Sequence, residues 1–114
     1  MRRGRLWLGA VLLALPALVG CQGALAGDWR LVQASPSRAV MALDDVHFAR
    51  DGRFAATTTL DGRTRREVGT FSFSGVELTL RPEAGGQRKY SAQLTMNRLE
   101  LSDGTHRVVL ERKR

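Results

Sequence analysis

Val68-Gly69-Thr70-Phe71-Ser72-Phe73-Ser74-Gly75-Val76-Glu77-Leu78-Thr79-Leu80 reads as a hairpin. Apolar residues alternate with polar ones on both sides of Ser74-Gly75, and a period of two puts every second side chain on one face of a strand. Glycine in the connection supplies the positive φ that a tight antiparallel turn needs. Outward from this hairpin the punctuation repeats. Asp51-Gly52, Asp61-Gly62, Gly85-Gly86, Asn97-Arg98 and Asp103-Gly104 mark further turns, at a spacing of about ten residues that belongs to all-β domains.

Between the turns the apolar positions alternate. They are Trp29 and Leu31; Val46 and Phe48; Phe54, Ala56, Thr58 and Leu60; Phe71 and Phe73; Val76, Leu78 and Leu80; Tyr90, Ala92, Leu94 and Met96; Leu99 and Leu101; Val108 and Leu110. Eight strands are expected, each with one apolar face. Val68 and Phe71 have opposite parity, so a bulge at Gly69 is expected to return both to the interior. Residues 34–44 are the one long connection expected, crossing an end of the barrel, with a helical turn over 39–43 after Pro36. Hairpins joined in order form a meander, and an even strand count lets the first and last strands pair. The expected fold is all-β, a small up-and-down antiparallel barrel whose closure removes exposed edges.

The N-terminal residues carry a different message. Arg2, Arg3 and Arg5 precede an apolar run over residues 6–19, broken only by Gly9 and Pro16, which leads into Leu18-Val19-Gly20-Cys21. The run is shorter than the roughly 20 residues that cross a bilayer as a helix, and its layout is that of a cleaved signal peptide. Leu18 to Cys21 resembles the lipobox of bacterial lipoproteins, which implies that the thiol of Cys21 receives diacylglycerol. Gln22 after the cysteine favours the outer membrane in the familiar sorting rule. The expected location is therefore the bacterial cell envelope, outer membrane, facing the periplasm, with the membrane as a partner through the lipid. The expected organisation is a signal over residues 1–20, the lipidated cysteine and a short tether over 21–27, and the barrel over 28–114. The tether after Cys21, residues 22–27, reaches at most about 20 Å.

Cys21 is the chain's one cysteine, so no disulfide staples the fold and packing alone must stabilise it. The formal charge is +7, of which three positive charges belong to the signal arginines. The remaining excess is too small to point to nucleic acid.

Gly27-Asp28-Trp29, a Gly-x-Trp at the start of the first strand, resembles the lipocalin signature. His47-Phe48-Ala49-Arg50-Asp51-Gly52-Arg53-Phe54 and the 68–80 hairpin are similar to hairpins of small bacterial lipocalin-like lipoproteins. The resemblance covers nearly the whole chain after Cys21, although the later Thr-Asp-Tyr-like turn is replaced by Asn97-Arg98 and Asp103-Gly104. It implies a closed barrel with Trp29 plugging one end under a basic residue, either Arg107 or Arg112. It also implies a ligand-binding role.

Trp29, Phe48, Phe54, Thr58, Phe71 and Tyr90 are the candidate ligand-binding residues. They either fill the core together with Phe73 or line a slot for an acyl chain or other apolar molecule, in which case the small inward residues Ala56 and Thr58 mark where its void would lie. No catalytic, metal or cofactor site is expected. Asp44, Asp45 and His47 are the densest group of metal-ligand types and read as a solvated turn. His106 reads as a barrel-end residue, and Glu67, Glu77 and Glu100 fall on different strands. Arg63, Arg65 and Arg66, and Arg112, Lys113 and Arg114, form two basic clusters that protect edges and are candidates to meet anionic headgroups. Two functions follow as expectations: a lipid-anchored, non-catalytic barrel that binds a small apolar ligand or lipid, or a filled barrel that docks onto or inhibits an envelope protein.

Overall fold

In the computed structural model, residues 22–113 are described, so Cys21, the signal-like residues 1–20 and Arg114 lie outside the described residues. Each alternating segment forms a strand: β1 (Gly27–Ser35), β2 (Met41–Phe48), β3 (Arg53–Leu60), β4 (Arg63–Phe73), β5 (Glu77–Pro82), β6 (Arg88–Thr95), β7 (Arg98–Ser102) and β8 (Arg107–Arg112). Neighbours in sequence pair antiparallel, and β8 returns to β1, so the sheet closes into an eight-stranded meander barrel. Phe54, Ala56 and Thr58 of β3 show the cause. They are buried while their neighbours are partly exposed, because apolar side chains on one face of a pleated strand leave water only when that face turns inward.

The expected bulge at Gly69 does not form. The β3–β4 ladder runs without a shift from Arg53↔Thr70 to Leu60↔Arg63. Val68 therefore faces out, 42% exposed, and Glu67 takes an inward position. Glycine at 69 answers a different need: a Cβ there would stand 2.2 Å from the carbonyl oxygen of Arg81 on β5. The bulges lie instead between Leu31 and Gln33 in β1 and between Asp44 and His47 in β2, where Asp45 has a φ of 51°.

Three other expectations are corrected. The connection expected over 34–44 shrinks to residues 36–40, and 41–43 are strand. The carbonyls of Ala39 and Val40 accept the amides of Gly62 and Asp61, which extends β2 rather than forming a helical turn. Val76 and Met96 are not inward, at 73% and 88% exposed, because each lies in a turn beyond its strand. Finally, residues 22–26 are not a free tether but fold across one end of the barrel. Leu25 and Trp29 are fully buried, and Trp29 Nε1 donates to the Leu25 carbonyl at 2.9 Å. An apolar Leu25 on a tether would sit in water, whereas the barrel end offers it a core.

Arg112, not Arg107, covers the tryptophan. Its guanidinium lies 4.3 Å from the Trp29 ring centroid and donates to the carbonyls of Ala26 at 2.7 Å and Ala24 at 3.2 Å. Gln22 Nε2 donates to the Phe71 carbonyl at 2.8 Å. Above this plug, Phe48 and Phe71 meet edge to face, centroids 4.7 Å apart.

Leu25→Ala is expected to lower unfolding free energy by about 2–4 kcal/mol through cavity formation. Arg112→Ala is expected to cost about 1–3 kcal/mol through the lost cation–π contact and unsatisfied carbonyls. Urea unfolding of both variants measures this. Leu25→Ala behaving as wild type would mean that residues 22–26 do not belong to the folded unit.

Candidate functional site

The end of the barrel opposite residues 22–26 is built differently. β4 is eleven residues long, but β5 pairs only with its lower part, from Phe73↔Leu78 to Gly69↔Pro82. Pro82 has no amide hydrogen to continue a ladder, and Gly85 and Gly86, both at positive φ, carry the chain away towards β6. The amide of Glu83 to the carbonyl of Val68 is the last backbone bond between them. Residues 63–68 thus keep β3 on one side and face a seam on the other.

An ion pair crosses that seam inside the barrel. Directly opposed residues in an antiparallel pair share a face, so the partners of buried Ala56 and Thr58, Glu67 and Arg65, also face inward. Leu80↔Arg88 brings Arg88 to the same interior. Arg88 donates both terminal nitrogens to Glu67, at 2.6 and 3.3 Å, and its Nε to Tyr90 Oη at 3.1 Å. Thr58 Oγ1 donates to Glu67 Oε1 at 2.8 Å, and Arg65 lies 3.8 Å from the other carboxylate oxygen.

The Glu67 side chain is only 3% exposed. Burial alone would push its carboxyl up, but hydrogen bonds from Arg88 and Thr58 and the charges of Arg88 and Arg65 hold it below the usual carboxylate range. The Tyr90 hydroxyl is pushed up by burial, against the lowering effect of Arg88. Arg63, opposite Leu60, adds a third inward arginine. A cleft of about 540 Å³ at this mouth is lined by Thr58, Leu60, Arg63, Thr64 and Arg65. It can accept an anionic group beside a small apolar surface.

The expected ligand-binding residues divide. Trp29, Phe48, Phe54 and Phe71 are buried in one core cluster, and none of them lines the cleft at the mouth. Thr58 and Tyr90 join the polar cluster, in which the Glu67 carboxylate stands 2.8 Å from Thr58 Oγ1. The two basic clusters sit at opposite ends, Arg63, Arg65 and Arg66 towards the open mouth and Arg112 and Lys113 at the plugged end, so no single bilayer plane meets both. Arg112 is committed to Trp29, and Lys113 pairs with Asp45.

Asp44, Asp45 and His47 go to separate partners at the β2 bulge. Asp44 Oδ1 accepts the amides of Leu31 and Asp45, and His47 Nδ1 is 2.8 Å from Asp28. His106 closes the β7–β8 turn, where Asp103 accepts the amides of Thr105 and His106. Among the described residues no three His, Cys, Asp or Glu side chains are grouped to hold a metal. Sequence reading missed Glu67 and Arg88. The signal was present: Glu67 has the parity of Phe71 and Phe73, and Arg88 that of Tyr90.

Because the folded carboxyl of Glu67 titrates below its ordinary value of 4.5, its contribution is full above that pH and is lost as pH falls through the folded value. Glu67→Gln is expected to flatten the loss of stability between pH 5 and 3, read from urea midpoints at each pH. Arg88→Met, which leaves the carboxylate buried without its main partner, is expected to cost about 3 kcal/mol at pH 7 and less in the Glu67→Gln background. Additive costs would show that the pair does not hold the seam.

No protein-family model and no curated protein matches the sequence. Two solved structures do. A lipocalin-like protein from Bacteroides uniformis aligns with a TM-score of 0.56 at 20% identity, covering 79% of this chain and 99% of its own. An uncharacterized protein from Bacteroides eggerthii aligns with a TM-score of 0.56 at 16% identity, covering 77% of this chain and 98% of its own. At such identities the likeness is one of fold, and the chain folds as a lipocalin-like barrel.

Proposed function

We propose that this chain is an envelope lipoprotein, anchored in the outer membrane through lipid on Cys21. Its barrel takes a small lipid or other amphipathic ligand at the open mouth and has no enzymatic activity. One observation carries the ligand reading: Arg63, Arg65 and Arg88 lie on the inward register at the mouth against one inward carboxylate, Glu67. That leaves positive charge beside Leu60 and the core, which suits an anionic head with a short apolar tail. The deeper aromatic residues support the core and do not line the site in this reading.

The anchor reading rests on the sequence before Gln22. It gains a direction from residues 22–26, which are fastened to the plugged end by Leu25, Gln22 and Arg112. A lipid on Cys21 would hold that end against the bilayer and turn the mouth towards the periplasm. The filled core favours a second reading, an interaction module that docks onto an envelope protein.

The test is native mass spectrometry of residues 22–114, which include the whole barrel, secreted into the periplasm and purified without detergent. A defined additional mass is expected on the wild type and is expected to be absent from an Arg63→Glu/Arg65→Glu variant. A clean apo mass, repeated after incubation with envelope lipid extract, would sink the ligand reading. Mass spectrometry of the N-terminal peptide of the mature protein tests the anchor separately, with a diacylglyceryl mass expected on Cys21.

A further inference from the structure

The seam above Gly69 leaves a backbone edge as well as a cavity. The amide of Phe71 donates to the carbonyl of Gly52 on the β3 side, and backbone direction alternates along a strand. The odd-numbered residues of β4 therefore bond β3. Thr64 and Arg66 direct both backbone groups, and Val68 its amide, towards the seam, where β5 has already ended at Pro82. The carbonyl of Val68 is taken by Glu83. A short row of donors and acceptors is thus left for another strand, flanked by a cleft of about 230 Å³ between residues 65–68 and 82–84.

The side chains on this edge select the partner. Arg63 and Arg65 stand on its inner face and Arg66 on its outer face. Arg63 makes no ion pair with a described residue and Arg65 reaches Glu67 only at 3.8 Å, whereas Arg66 reaches away from the edge over β3, to Thr57 Oγ1 at 3.3 Å and the Asp45 carbonyl at 3.4 Å. Positive charge at a sheet edge repels a second copy of the same edge. It attracts an acidic strand.

We propose that residues 63–68 of β4 bind an extended acidic polypeptide segment by strand addition, with carboxylates on the inner face against Arg63 and Arg65 and an apolar side chain on the outer face against exposed Val68. The proposal does not depend on a small ligand in the mouth. Main-chain bonds supply the binding and the arginines the selectivity. Such a segment would continue the line of β5 past the point where Pro82 ends it.

The test uses unmodified residues 22–114 and a fluorescent six-residue peptide alternating aspartate and valine. The peptide is expected to bind, to weaken with added salt, and to protect the amides of Thr64, Arg66 and Val68 from hydrogen exchange. A lysine/valine peptide and an aspartate/valine peptide N-methylated at alternate residues are expected not to bind, and Arg63→Glu is expected to weaken binding about tenfold. Unchanged exchange at those three amides under saturating peptide would overturn the proposal, as would equal binding of the N-methylated peptide. So would arginine-dependent binding to phosphatidylglycerol vesicles with no binding of the peptide. Should Arg63→Glu fail to fold, the exchange measurement on the unmodified protein still decides. A small ligand held in the mouth would appear as added mass without protection of these amides, so the two readings fail separately.

Discussion

Arg112 over Trp29 is the contact on which the rest of the barrel depends. Trp29 and Arg112 are ladder partners on the first and last strands, so the pair joins the two strands whose meeting closes the sheet. The same guanidinium holds the carbonyls of Ala24 and Ala26. One side chain therefore ties together β1, β8 and the turn that plugs the barrel. Without disulfides, a domain of this size relies on such convergence, because each element must find its stability in shared burial.

The two ends obey opposite rules. At the plugged end, Leu25, Trp29, Phe48 and Phe71 are buried together, and the carbonyls of Ala24, Ala26 and Phe71 are answered by Arg112 and Gln22. At the open end the ladder between β4 and β5 stops at Gly69 and Pro82, and side chains take over. The Glu67–Arg88 pair bridges the gap that the backbone leaves. A buried ion pair is weak evidence for net stability, since desolvation offsets much of its attraction. Its geometric consequence is clearer: it holds two strands beside an opening that neither covers. Function is read at this end because Arg63 and Arg65 line its cleft, whereas the cleft at the other end is lined by Arg112 and Lys113, which are committed to Trp29 and Asp45.

Much of the architecture is legible in the sequence alone. Asp51-Gly52, Asp61-Gly62 and Ser74-Gly75 mark turns by local chemistry alone, and the alternation of Phe54, Ala56 and Thr58 needs only the pleat to be read. The errors were also physical. Gly69 looked like a bulge because Val68 is apolar, yet an exposed valine costs little on the outside of a barrel. That choice hid the inward Glu67, and with it the polar cluster at the mouth. Val76 and Met96 extended the alternation into turns for the same reason.

Sequence by itself determined the number and order of the strands and the place of their turns, because both depend on residues close together in the chain. It also determined the apolar share of the core, and it carries the lipobox-like stretch before Gln22 on which the proposed anchor rests. Tertiary structure alone decided which arginine covers Trp29, that residues 22–26 form a plug, and that Glu67 meets Arg88. It decided too that Arg63, Arg65 and Arg66 line an open edge while Arg112 and Lys113 lie at the opposite end. These outcomes depend on register and closure, which bring together groups from distant strands, and a one-residue change in register would have turned each of those side chains to the other face.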